Sequence, residues 1–256
     1  MRVTGLGQVL FALSFVGLGA LGIAFHDFAF VWQLVPKGVA WHDTLTTVTG
    51  AILFAGGIAL LVPRTARLSA LVLAGFLLLF VVVLRVPAVV AHPLVEGEWY
   101  GLSETLTFVA GAWTIFSMLS REGGALANFG NVRAGQILFG LVLPAIGLSH
   151  FFYLGETAPL IPSWLPFHVP LAYFTGAAHI AAGLGILFGV LPRLAATLEA
   201  VMVNLFTLLV WVPTVIAAPT NGSDLAEIGV SAAITGAAWA VAESFRGRSW
   251  GLGRGR

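Results

Sequence analysis

The sequence contains no cysteine and one lysine, Lys37, and its Asp, Glu, Lys and Arg together make up 9% of 256 residues. Without cysteine there are no disulfides, thiol relays, thiolate-bound clusters or CxxC haem attachment. A soluble domain covers its surface with about 25% charged residues, so a chain with so little charge cannot be one. A net charge of +1 argues against a nucleic-acid partner. The sole lysine falls in an expected loop, which disfavours a retinal Schiff base inside a span. No Walker, Rossmann, HExxH or GxSxG pattern with supporting context is present, and no two histidines have HxxxH spacing.

What the chain does have is apolar length: 59% of its residues are hydrophobic. Stretches of about twenty apolar residues, each enough to cross a bilayer core as helix, recur at 5–28, 43–63, 67–91, 100–119, 133–154, 168–190, 194–217 and 225–245. The first is too long for a signal peptide's apolar core and lacks a small-x-small cleavage site before His26. The expected fold is all-α, a polytopic membrane protein with eight transmembrane helices. Charge placement orients it. Arg2, Arg64, Arg67, Arg121, Arg133, Arg193, Arg246, Arg248, Arg254 and Arg256 fall on the side of the termini, and only Lys37 and Arg85 fall elsewhere. The positive-inside rule then puts both termini in the cytoplasm. Asp27, Asp43, Glu96, Glu98, Glu104, Glu156, Asp224 and Glu227 lie at or near the outer ends.

The chain is also duplicated. Residues 36–90 laid over 162–216, at an offset of 126 without gaps, give 18 identities in 55 positions, where chance gives about one in ten. Pro36/Pro162, His42/His168, Thr49/Thr175, Gly50/Gly176, Gly57/Gly183, Arg67/Arg193 and Pro87/Pro213 are among them. Two four-helix units follow, 1–122 and 133–256, joined by a cytoplasmic linker at 123–132. Having an even number of helices, they share one orientation, about an axis near the membrane normal. Each unit has an unusual outer connection between its first two helices. Phe28 to Trp41 carries Trp32, Pro36 and Trp41; Leu154 to Phe167 carries Pro159, Pro162, Trp164 and Pro166. Tryptophan favours the headgroup level and proline stops a helix. Both a segment folded over the mouth of its unit and an ordinary interfacial loop fit this composition.

Gly147–x–x–His150, Pro162–Ser–Trp164–Leu–Pro166, Thr175–Gly176, Gly183–Leu–Gly185 and Leu191–Pro–Arg193 resemble the DoxX family of small membrane proteins. The block His92–Pro93, Glu98–Trp99, Glu104 and Gly111 is similar to the end of that family's four-helix unit. The resemblance covers both halves and is stronger in the second, although family members usually have one unit. It implies a four-helix fold and an association with quinone-linked or other redox systems in the prokaryotic plasma membrane. A quinone is the cofactor it suggests, with redox-protein subunits as partners.

Ionisable groups at membrane depth are costly, so their positions carry functional weight. In the first half His26 and Asp27 end span one, His42 and Asp43 begin span two, Arg85 is two turns from the outer end of span three, and Glu104 is one turn into span four. They form either a polar-headed pocket or an ion-paired rim, with Asp27, Asp43 or Glu104 as partner to Arg85. The second half keeps His150 and His168 at its mouth. His168, Thr175 and His179 share one helix face, and His179 and Asn204 reach similar depth near mid-span. A His179–Asn204 hydrogen bond would satisfy both; a polar step in a cavity, for a quinone carbonyl or a proton, is the other reading. Glu199 and Glu243, near the cytoplasmic ends, are expected to snorkel or to pair with arginines. Haem or a metal would need histidines from different helices, His26 with His42 or His150 with His168. The leading expectation is a redox-associated subunit that binds a quinone or similar lipophilic small molecule near the outer leaflet. The alternative is a small-molecule transporter or a non-enzymatic binding or assembly protein.

Overall fold

A computed structural model describes residues 5–28, 33, 35–120 and 127–251. Arg2, Trp32, Arg121, Arg254 and Arg256, and residues 123–126 of the expected linker, lie outside the described residues. Among the described residues, eight long apolar helices follow one another: α1 (Leu6–Phe25), α2 (His42–Leu61), α3 (Ala66–Ala91), α4 (Glu96–Ser120), α5 (Val132–Phe152), α6 (His168–Phe188), α7 (Pro192–Ala217) and α8 (Gly222–Ser244). Large apolar side chains such as Leu79, Val83, Phe174 and Leu208 stay exposed on their outer faces. In water that surface would be unstable, whereas against lipid tails it is at home. The chain is a polytopic, all-α membrane protein. Helix α4 begins four residues before the expected 100, because Glu96 and Glu98 occupy its first turn, where acids favour the positive end of the helix dipole.

Helix α1 packs on α2 and on α8, and α5 packs on α6 and on α4. Helix α3 lies on α4, α7 lies on α8, and α4 and α8 touch each other. The two sequence repeats therefore interlock: the first helix of each rests on the last helix of the other. One core gathers Phe11, Phe15, Leu53, Leu73 and Phe108 with Val230 and Ala233 of α8. The second gathers Phe139, Leu143, Ile186, Ala196 and Ala200 with Ala238 and Val241 of α8 and Ala110 of α4. Small residues make the central α4–α8 contact close: a Cβ added to Gly111 would stand 2.5 Å from that of Ala237. Glu243 of α8 ties the units further, its Oε1 accepting from the Leu6 N–H at 2.8 Å and from Arg246 Nη2 at 3.0 Å. It pairs with arginine as expected, and it also caps the start of α1.

The duplication repeats irregularities as well as helices. Trp41 and Phe167, 126 residues apart, both take left-handed backbone angles (φ 63° and 60°) at the residue before α2 and α6. Helices α3 and α7 each widen into a π turn, at Val81–Arg85 and Thr207–Trp211, again 126 apart. Each π turn leads into a proline, Pro87 or Pro213. Proline has no N–H to donate and presses its ring on the carbonyl four residues back. A wider turn moves that carbonyl aside and lets the span continue. In the second half the Thr207 hydroxyl fastens the π turn to α8, through Ser231 Oγ at 2.8 Å and Thr235 Oγ1 at 2.9 Å. Thr207→Val is expected to cost about 0.5–1.5 kcal/mol, read as a lower thermal midpoint in detergent with helicity unchanged.

Candidate functional site

At the end of the bundle away from the chain termini, the first half carries two polar groups rather than one ring. On the surface, Asp27 meets Lys37 Nζ at 2.9 Å and His42 Nε2 at 3.5 Å, and His42 Nδ1 lies 3.3 Å from Asp43 Oδ1. The Lys37 ammonium holds the Asp27 carboxyl below the usual carboxylate range, and Asp27 in turn raises Lys37. Phe28 stands edge-on to His42, with ring centres 5.4 Å apart. His26 is exposed after the end of α1, so the His26–His42 pairing gives way to His42 between two aspartates. Arg85 belongs to a second, buried group. Its guanidinium lies over Gly101 of α4 and within Coulombic reach of Glu104. Of the three acids open to it, Asp27 is taken by Lys37 and His42, and Asp43 faces outward. Glu104 also accepts from the Tyr100 hydroxyl at 3.2 Å.

The second half builds its site in mid-span. Glycines let α5 and α6 touch: a Cβ on Gly176 would lie 2.8 Å from the Gly147 carbonyl oxygen, and one on Gly183 2.7 Å from that of Gly140. That approach lays His150 of α5 on His179 of α6, ring centres 5.2 Å apart, with Phe206 of α7 beside both. His179 Nδ1 is 2.8 Å from Glu199 Oε1 of α7, and the two side chains are 3% and 0% exposed. His150 Nδ1 lies 3.1 Å from the Ile146 carbonyl oxygen. A carbonyl only accepts, so Nδ1 carries the proton and Nε2 of the neutral ring keeps its lone pair.

Several expectations change here. Glu199 neither snorkels nor pairs with an arginine; it is the partner that Asn204 was expected to be for His179. Asn204 lies five residues further along α7, about 140° round the helix, and is half-buried, its side chain making no hydrogen bond among the described residues. His150 is not at the mouth and does not meet His168, because α5 stops below the start of α6. His168 stands half-buried at the first position of α6. Sequence reasoning missed Glu199 because its nearness to a helix end outweighed its face. The available signal was its place on α7, antiparallel to α6, at a depth matching His179.

Between α6 and α7 lies a groove of about 950 Å³. Its walls are apolar, with Phe174, Leu184, Leu198, Met202, Leu205 and Trp211 among them, and His150, Thr157, Thr175 and Glu199 are its polar points. Thr157, Leu160, Ile161, Pro162 and Leu165 line one end, so the connection before α6 borders the groove. Glu199 Oε2 is buried with no hydrogen-bond partner among the described residues. In the repeat alignment His179 matches Leu53 and Glu199 matches Leu73, and both leucines are buried in the first core. The polar pair therefore replaces an apolar pair in one half only. This arrangement suits an elongated apolar molecule with a polar head. Among the described residues no three His, Asp or Glu side chains converge as a metal set. Comparison with protein-family models, curated proteins and solved structures finds no match.

Proposed function

We propose that this chain is a DoxX-like, redox-associated membrane subunit that binds a quinone or similar lipophilic small molecule in the α6–α7 groove. The proposal includes a prokaryotic plasma membrane with both termini cytoplasmic, on the arginine distribution. The observation that carries it is the buried line His150–His179–Glu199, whose two ends, His150 and Glu199, line an apolar groove. The apolar walls accept a tail, and the polar line meets a head group in mid-span, deeper than the outer-leaflet level expected from the sequence. A bound quinone supplies two-electron, two-proton chemistry, with electrons exchanged with a redox-protein partner. This chain's own part is to bind and orient the head, to hold a proton between His179 Nδ1 and Glu199 Oε1, and to offer His150 as a neighbouring proton site. Fold resemblance alone is weak warrant for activity, so the groove carries the argument.

Trp211 lines the groove and gives a direct test. Titrating purified protein with a short-tailed benzoquinone is expected to quench part of the tryptophan emission saturably. Trp211→Phe should remove most of that saturable part, and His150→Ala should weaken binding about tenfold, equivalent to about 1.4 kcal/mol. Quenching that rises linearly and equally in wild type and His150→Ala would mean simple partitioning into the detergent, and the reading would fail. The duplicated units and the mid-span polar groups favour a second reading, transport, since both are features of transporters. Ligand uptake by proteoliposomes, without any redox partner, would support it.

A further inference from the structure

Resting on the quinone reading above, we infer that the groove selects the reduced, hydroxyl-bearing form of its ligand, a lipophilic quinol, over the oxidised quinone. The reason lies in which atoms are left to meet a head group. Glu199 lines the groove, its Oε1 is taken by His179, and its Oε2 is buried without a partner among the described residues. His150 also lines the groove, and its Nδ1–H is spent on the Ile146 carbonyl. What remains on the neutral ring is the Nε2 lone pair.

Both groups are therefore acceptors. A quinone brings two carbonyl oxygens, which only accept, and would set lone pair against lone pair in an apolar cavity. A quinol brings two O–H donors that can satisfy both. Leaving a buried acceptor unpaired carries its full desolvation penalty, and a site that lacks the matching hydrogen bond discriminates strongly between otherwise similar ligands. Thr175 spends its own hydroxyl proton on the Ala172 carbonyl at 2.9 Å, and Thr157 spends its on Tyr153 at 2.9 Å. Those two groove hydroxyls thus add acceptors rather than donors. The polar points of the groove act together.

The test is a pair of anaerobic calorimetric titrations of the purified chain, one with a short-tailed benzoquinone and one with the benzoquinol made from it by borohydride. The quinol is expected to bind at least about tenfold more tightly, which would raise the potential of the bound couple by about 30 mV. Equal binding, or tighter binding of the quinone, would overturn the selection while leaving the proposed function standing. Saturable binding of neither would overturn both. Glu199→Gln places an amide N–H₂ in the groove, and the quinol preference is expected to fall below about threefold. A preference unchanged in this variant would remove Glu199 as its source. The wild-type pair of titrations decides the selection by itself, should the variant not fold.

Discussion

The double variant His179→Leu/Glu199→Leu is expected to fold with at least wild-type stability, while each single variant loses about 3–5 kcal/mol. Removing one partner leaves the other buried without its hydrogen bond, at a site where the side chains are 3% and 0% exposed. Removing both leaves no unsatisfied group, and replacing a buried pair by packed apolar side chains is often neutral or stabilising. The protein already contains the control. Leu53 and Leu73 hold the matching positions of the first half, both fully packed at 2% and 0% exposure. Unfolding midpoints of the two single variants and the double variant in detergent form a mutant cycle that measures the coupling. Stability losses that simply add would show that the two side chains are not a unit. The double variant should also lose saturable quinone quenching, which would separate the pair's binding role from any role in folding.

Gly176→Val should have an effect of similar size for a different reason. A Cβ there would meet the Gly147 carbonyl oxygen at 2.8 Å and the His150 Cβ at 2.8 Å. One neighbour is backbone in a helix held on two sides, so it cannot yield without separating α5 from α6. A loss of about 3 kcal/mol or more is expected, seen as a collapsed yield of monodisperse protein. Any folded fraction should have lost the His150–His179 stack and with it ligand binding. Gly75→Val serves as the reference, since nothing lies within 4 Å of a Cβ added there. If the two variants purify and melt alike, close approach at Gly176 is not what holds these helices together.

The sequence by itself determined the number of spans, their helical nature and the duplication. Those features follow from composition along one dimension: twenty apolar residues in a row have no stable state in a bilayer except a helix. Identities at fixed spacing persist whatever the fold. The repeat alignment even carries the paired π turns, since Pro87 and Pro213 impose the same local difficulty on α3 and α7. Which polar groups meet was decided only by the tertiary structure. Depth along a helix is readable from residue number, but the face a side chain presents depends on which helices become neighbours. Glu199 and Asn204 both lie within about a turn of the level of His179, but they sit about 140° apart round α7, and it is Glu199 that meets the ring. By residue number His150, two residues before the end of α5, reads as a mouth residue level with the start of α6. In fact the Gly147–Gly176 contact sets α5 lower and brings the ring down beside His179. The interlock of the two units was likewise invisible in the sequence, because it joins α1 to α8 and α4 to α5 mainly through small residues, and its charged tie among the described residues, Glu243, accepts from a backbone N–H of α1 that no residue type reveals. Packing of apolar helices in lipid is chosen by shape, and shape exists only once the helices have assembled.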